Sequence, residues 1–256
     1  MRFSKIEKAW ILYDVGNSAF VMLVSTIIPI YFKNIASAAG VSMADSTAYF
    51  GYATSLSTLI VAILGPILGT IGDTSGYRKR LFLLSLGVGA AGCVALGIPM
   101  GWLLFLVMFV VAKIGYNGSL IFCDSMLTDV TTDDRMDEVS SVGYAFGYIG
   151  SCIPFAACML LVLFAGSIGI STQLATSISF VITAVWWVLM TVPLLRGYQQ
   201  KFSVGHVSNP VKEGFVRLGN TIKNIRQDKN IVLFLVAFFF YIDGVYTIIE
   251  MATSYG

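Results

Sequence analysis

Long apolar stretches separated by short polar turns make up most of this 256-residue chain. Seven of them reach the length of about 20 mostly apolar residues that a helix needs to cross a bilayer. These stretches are residues 9–32, 47–71, 81–100, 102–124, 141–165, 174–195 and 231–253. They are too continuous for the strands of a membrane barrel, which alternate over about 10 residues. The pattern therefore predicts an all-α transmembrane protein.

Composition supports the same class. The chain is 57% hydrophobic and 12% charged, whereas a soluble domain is about 25% charged. The lipid bilayer is therefore the expected partner, and a nucleic-acid partner is not expected. The four cysteines and the single histidine do not form the ligand spacing of a metal site, so the sequence predicts neither a metal nor a cofactor.

Basic residues predict the orientation of the chain in the membrane. Of the 16 lysines and arginines, 14 fall in the N-terminal tail, in the loops after the second and fourth stretches, and in the linker after the sixth. Loops rich in these residues stay on the cytoplasmic side. We therefore expect a cytoplasmic N-terminus.

The pattern divides the chain into three parts. Residues 1–196 are predicted to form a six-helix membrane bundle, residues 197–230 a basic cytoplasmic linker, and residues 231–256 the first helix of an incomplete second bundle. Within the linker, apolar residues recur every three or four positions over 211–225, which favours an amphipathic helix. The seventh stretch, "FFYIDGVYTII", shares an aromatic residue, an Asp and a Gly with "LYDVGNSAF" in the first, as repeated halves would.

The turn between the second and third stretches reads "GTIGDTSGYRKR". A loop on the basic side explains Arg78 and Lys79, but it does not explain the spacing of Gly69, Asp73 and Gly76. Gly69 is expected to let another helix approach closely. This spacing resembles the signature loop between the second and third helices of the major facilitator superfamily. The resemblance implies that Asp73 and the bases form a charge network closing the cytoplasmic side.

Two positions depart from that signature, since Thr74 and Tyr77 stand where bases are usual. Further stretches, "YDVGNSAF", "IPIYFK", "VSSVGYAFGYIGS" and "FFYIDGVYTIIEMATSYG", resemble the vacuolar amino-acid effluxer-like branch of the superfamily. The resemblance implies a carrier rather than an enzyme, working by secondary active transport of a small polar solute, with amino acids as the first candidate and proton coupling as an option. A bacterial plasma membrane is then the expected location. A complete member has about twelve helices, so we expect this chain to be truncated after the seventh.

Five polar residues inside the spans are candidates for solute or ion coupling: Asp14, Asn17, Lys113, Asn117 and Asp243. A charge inside a membrane costs about 2.5–3.5 kcal/mol on insertion scales, so it is expected to face protein or water. Asp14, Lys113 and Asp243 could converge on a central cavity. Alternatively, Lys113 pairs with an aspartate for structural reasons, and Asn17 cross-links helices.

Gly143 and Gly147 form a GxxxG pattern in the fifth stretch, which predicts a close helix crossing and, in a carrier, a sliding surface. Asp124, at the inner end of the fourth stretch, is interpreted as a residue at the membrane edge.

Two other functions remain open. "DDRMD" at 133–137, together with Asp129, could bind Mg²⁺ and diphosphate, as in membrane prenyltransferases, although no second acidic cluster accompanies it. The chain could also be a half-carrier that does not transport and serves as a scaffold. Because one half-bundle encloses no two-sided cavity, we expect no transport by this chain alone, and a separately encoded C-terminal half is a candidate partner.

Overall fold

A computed structural model of the chain describes residues 3–203 and 210–255, and all regular structure in these ranges is helical. The α-helices are α1 (Lys5–Ser25), α2 (Ile27–Ala38), α3 (Met43–Gly72), α4 (Tyr77–Ala95), α5 (Trp102–Val130), α6 (Met136–Leu163), α7 (Thr172–Gly197), α8 (Pro210–Ile225) and α9 (Lys229–Tyr255). The prediction of an all-α fold is confirmed.

Six helical segments in the described part of the chain are long and apolar enough to cross a membrane. They are Lys5–Ala38, Met43–Gly72, Trp102–Val130, Asp133–Leu163, Thr172–Gly197 and Lys229–Ile249. The stretch predicted at 81–100 corresponds to α4, which has only 19 residues and begins with three bases, so it is not among them. It nevertheless takes its place in the bundle, because it packs between α5 and α7.

The first span is broken into α1 and α2 at Thr26, whose φ and ψ are −129° and −72°. The break has a local cause, because Pro29 has no N–H to donate to the carbonyl of Ser25. The hydroxyls of Ser25 and Thr26 turn back to the carbonyls of Val21 and Met22. The hydroxyl of Thr253, on α9, donates to the free carbonyl of Ser25.

Helices α4 and α5 meet backbone to backbone. A Cβ atom added to Gly115 would lie 2.2 Å from the amide nitrogen of Gly89, and one added to Gly92 would lie 2.8 Å from Cα of Ala112. Small residues permit this approach, which strengthens van der Waals packing where lipid supplies no hydrophobic driving force. The crossing aligns the ends of α4 and α5 that carry the polar groups described below.

Aromatic side chains fill the space between α2, α3 and α5. Phe32 stacks on Phe50 and on Phe105, and Phe50 stacks on Phe109 with 4.9 Å between ring centroids. All four rings are buried. Offset ring pairs at such distances add about 0.5–1.5 kcal/mol each beyond their buried area, so this cluster holds one end of the bundle together.

The linker after α7 contains α8, so the predicted amphipathic helix over 211–225 is confirmed as a helix. Residues 204–209 of the linker lie outside the described residues. Helix α8 packs against α3. Phe215 and Leu218 remain exposed on α8, and its contact with a membrane surface stays a prediction.

Candidate functional site

The signature turn lies between the end of α3 at Gly72 and the start of α4 at Tyr77. Gly76 has a φ of 78°, a left-handed conformation that glycine adopts without steric cost. The expected close approach at Gly69 is wrong, because an added Cβ would meet no described atom within 4 Å. The close approach occurs at Gly72, where an added Cβ would lie 2.9 Å from the ring of Phe122.

Arg78 is buried, with 6% of its surface exposed, and its guanidinium joins two carboxylates. One amino group donates to Asp129 at 2.7 Å and the other to Asp73 at 3.0 Å. Asp73 and Arg78 therefore come together as the resemblance implied, within their own turn. Lys79 is half-exposed and takes no part in this pairing among the described residues. The exposed Arg80 lies over the ring of Tyr77, 5.7 Å from its centroid.

Asp129, on α5, is the centre of this network, a role that no sequence pattern indicated. Only 2% of its surface is exposed. Besides Arg78, it accepts hydrogen bonds from the hydroxyl of Tyr198 and from the backbone N–H groups of Lys201 and Phe202, the latter two at 2.9 Å. Burial and the hydrogen bond to Asp129 raise the pKa of Tyr198, so its hydroxyl stays protonated and donates. Both carboxylate oxygens of Asp129 are thereby satisfied.

Gln200 connects the chain after α7 to the signature turn. Its side-chain amide donates to the carbonyl of Gly72 at 3.1 Å, and its side-chain oxygen accepts from the backbone N–H of Gly76 at 3.0 Å. Residues 198–202, called the 198–202 segment below, thus touch both Asp129 and the turn. No sequence motif marked this segment, which lies at the start of a polar linker.

Asp14, on α1, is half-buried and accepts a hydrogen bond from the amide of Asn17 at 3.1 Å. Helix α6 leaves room for this pair, because an added Cβ on Gly143 would lie 2.5 Å from the Asp14 carboxylate and one on Gly147 would lie 2.9 Å from the hydroxyl of Ser18. The close crossing predicted from the GxxxG pattern is confirmed, and its partner is α1.

Asp124 lies near this pair. Although its side chain is exposed, it interacts electrostatically with Asp14 and with Tyr144 of α6. The exposed side chain is compatible with the interpretation as a residue at the membrane edge, which stays a prediction. Asp14 and Asp124 make this an acidic region of the bundle.

Lys113 lies elsewhere on α5 from this acidic region. It is buried, its ammonium group is 6.0 Å from the ring centroid of Phe109, and it lines a small cavity with Phe20, Tyr116 and Ile249. Asn117, one turn further along α5, is half-buried. Asp243 is exposed on α9. The described contacts bring together Asp14 and Asn17, and the convergence of Lys113 and Asp243 with Asp14 stays a prediction.

The carboxylates considered for Mg²⁺ do not gather. Asp129 is held by Arg78, while Asp133, Asp134 and Asp137 are exposed. No group of three potential metal ligands is found in the described ranges. Asp129, which was considered together with this motif, is therefore engaged by Arg78 instead.

The arginine of "DDRMD" has a different partner. Arg135 pairs with the buried carboxylate of Glu7 at 2.9 Å, and the hydroxyl of Thr131 donates to the same carboxylate at 2.7 Å. Glu7 also closes a capping box with Ser4 at the start of α1. This second polar network attaches the start of α1 to the turn between α5 and α6.

The chain is an integral membrane protein of the major facilitator type. Its apolar helices have spanning length. Its first span contains an aspartate, and a buried Arg78–Asp129 pair lies beside a glycine turn. A family model described as "Vacuole effluxer Atg22 like" matches residues 42–135 and 128–256, and the chain belongs to this family. The resemblance seen in the sequence is thereby confirmed.

Individual relatives agree with this assignment. Over its whole length the chain is 45% identical to the uncharacterized MFS-type transporter YxiO of Bacillus subtilis (strain 168) and spans 61% of that protein. Over 79% of its length it is 24% identical to autophagy-related protein 22 of Coccidioides immitis (strain RS) and spans 44% of that protein. The chain thus spans about three fifths or less of the length of these relatives.

Proposed function

We propose that this chain forms part of a secondary active transporter that moves a small polar solute by alternating access. The observation that carries the proposal is Asp14, which lies inside the first span and is held by Asn17 in a slot that Gly143 keeps open. A carboxylate at this depth is costly and marks a path for a solute or an ion. The family and its MFS-type relative support the same function.

In this proposal one group of residues contacts the solute or proton, and a second group closes the bundle. Asp14 and Asn17 contact the solute or carry a proton, and Lys113, Asn117 and Asp243 supply polar groups from α5 and α9. The turn formed by Gly69, Asp73, Gly76, Arg78 and Lys79 closes the bundle on the cytoplasmic side, where the basic residues place the N-terminus. The Arg78–Asp129 and Arg78–Asp73 contacts support a role of the turn in closure.

The proposal extends to the class of solute and to the rest of the transport path. Amino acids are the first candidates because the matching family model is named for a vacuole effluxer. Further helices complete the path, supplied by more of the same polypeptide or by a separate chain. Two observations support this, namely the greater length of the relatives and the exposed aromatic side chains of Phe239, Phe240 and Tyr241 on α9.

We expect Asp14→Asn to lower transport at least about tenfold, since it removes the charge while keeping the shape of the side chain. The assay is counterflow of labelled amino acids in proteoliposomes that contain this chain extended by the C-terminal part of the Bacillus relative. A tenfold loss corresponds to about 1.4 kcal/mol of transition-state free energy.

The matched control is Asp134→Asn, which changes an exposed aspartate in the turn between α5 and α6 and should leave counterflow unchanged. Equal counterflow in both variants would show that Asp14 is not part of the path. Correctly folded extended protein without counterflow of any amino acid would favour a scaffold over a carrier of amino acids. Counterflow by residues 1–256 alone would overturn the proposal that further helices are needed.

A further inference from the structure

The 198–202 segment makes contacts that no helix-to-helix packing requires. It leaves α7 at Gly197 and then crosses to the ends of α3, α4 and α5. Tyr198, Lys201 and Phe202 donate to the carboxylate of Asp129, and Gln200 binds the turn before α4. Four of the five residues of the segment are thus held, either at Asp129 or at the turn.

The segment and the ion pair depend on each other. Arg78 contacts one oxygen of Asp129, while the N–H groups of Lys201 and Phe202 both contact the other oxygen. A buried carboxylate oxygen without a donor is costly, so the buried position of Asp129 requires the segment. Conversely, the segment is held because the buried carboxylate offers acceptors to two consecutive backbone N–H groups.

Gln200 extends this dependence to the turn. Its side chain donates to the carbonyl at the end of α3 and accepts from the N–H of Gly76, 124 residues earlier in the chain. Gly76 is the residue whose left-handed conformation starts α4. The turn is therefore clamped between Arg78 on one side and Gln200 on the other.

We propose that the 198–202 segment is a latch that transmits displacement of the linker to the turn between α3 and α4. While the latch is closed, the turn is ordered and the Arg78–Asp129 pair is sealed from water. When the linker is displaced, Lys201 and Phe202 leave Asp129, Gln200 leaves the turn, and that end of the bundle opens. Tyr198 and Gln200 are the positioning residues of this latch. This inference needs no assumption about the solute.

Hydrogen–deuterium exchange of the full chain in lipid nanodiscs tests the latch. In Gln200→Ala, the rate of amide exchange in residues 73–76 should rise about three- to tenfold. The reason is that one hydrogen bond contributes about 0.5–1.5 kcal/mol net, and its loss makes local opening of the turn more frequent by this factor. The matched control is Gln199→Ala, since Gln199 is the exposed neighbour. It should leave exchange unchanged. Gln200→Glu, which keeps the acceptor for Gly76 and loses the donor, should fall between the two.

Transmission is tested by Tyr198→Phe, which removes only the hydroxyl that donates to Asp129 and leaves both contacts of Gln200 with the turn in place. A latch requires exchange to rise both at 201–202 and at 73–76 in this variant. A rise confined to 201–202 would show that the segment binds Asp129 and the turn independently, which overturns the latch. A rise that also includes residues 10–24 of α1 would show general destabilisation and would equally overturn it.

Discussion

Replacing Arg78 with alanine should lower the free energy of unfolding by about 3–5 kcal/mol, the usual cost of removing one partner from a buried ion pair. The reason lies in Asp129, whose side chain has no exposed surface and would keep its charge without a counter-charge. Asp73, half-exposed at the other end of the guanidinium, would lose much less. Unfolding of the purified chain in mixed micelles by increasing amounts of a denaturing detergent measures the change.

Two further variants make this prediction specific. Arg80→Ala removes an exposed arginine two positions away that only lies over Tyr77, and it should cost less than about 1 kcal/mol. Arg78→Lys keeps the charge but cannot reach two carboxylates with a planar fork, so it should fall between the two alanine variants. If Arg78→Ala costs no more than Arg80→Ala, the buried pair does not stabilise the bundle.

Gly115→Ala should be the most damaging conservative substitution, with a loss of about 3 kcal/mol, at the upper end for an overpacked core. The added methyl would meet the backbone of Gly89 at 2.2 and 2.6 Å, and backbone atoms cannot turn aside as a side chain can. Helices α4 and α5 would have to separate. The same unfolding measurement applies.

Gly87→Ala is the control, because Gly87 lies on α4 and an added Cβ there would meet no described atom within 4 Å. Alanine favours helix over glycine by about 1 kcal/mol, so this variant should lie between no change and a gain of that size. A similar loss in both variants would mean that glycine itself, rather than the contact between α4 and α5, determines the effect.

Hydrophobic length was sufficient to predict the helices. Six of the seven predicted stretches coincide with helices of spanning length. Length alone is informative because the backbone of a segment in lipid must satisfy its own hydrogen bonds, which a helix does. The turn at 73–78 was likewise predictable in part. The spacing of Asp73, Gly76 and Arg78 carries information beyond charge, and the structure joins Asp73 to Arg78.

The other half of that network was not predictable from patterns. Asp129 stands close to "DDRMD" in the sequence, so its neighbours suggested a metal ligand, whereas its partners come from α4 and from the chain after α7. Gln200 and Tyr198 belong to a polar stretch without periodicity, and only tertiary contacts show what they bind. Gly69 shows the opposite error, since glycine spacing predicted a contact that Gly72 makes instead.

The neighbours of Lys113 and Asp14 show what depth along a helix leaves open. Charged residues within spans must avoid lipid, which predicts that they face inward but not that they face each other. Lys113 meets Phe109 and a cavity near α9, while Asp14 faces Asn17 and α6. Depth along a helix can be read from sequence, whereas the packing that sets its rotation cannot.

The missing amide hydrogen of Pro29 also determines how α9 sits against the first span. The carbonyl of Ser25 has a lone pair that its own helix cannot use, and the hydroxyl of Thr253 supplies the donor. Apolar surfaces tolerate sliding and rotation, but a single hydrogen bond in an apolar region tolerates neither. The helix break therefore favours one register of α9, the one in which Thr253 lies beside this carbonyl.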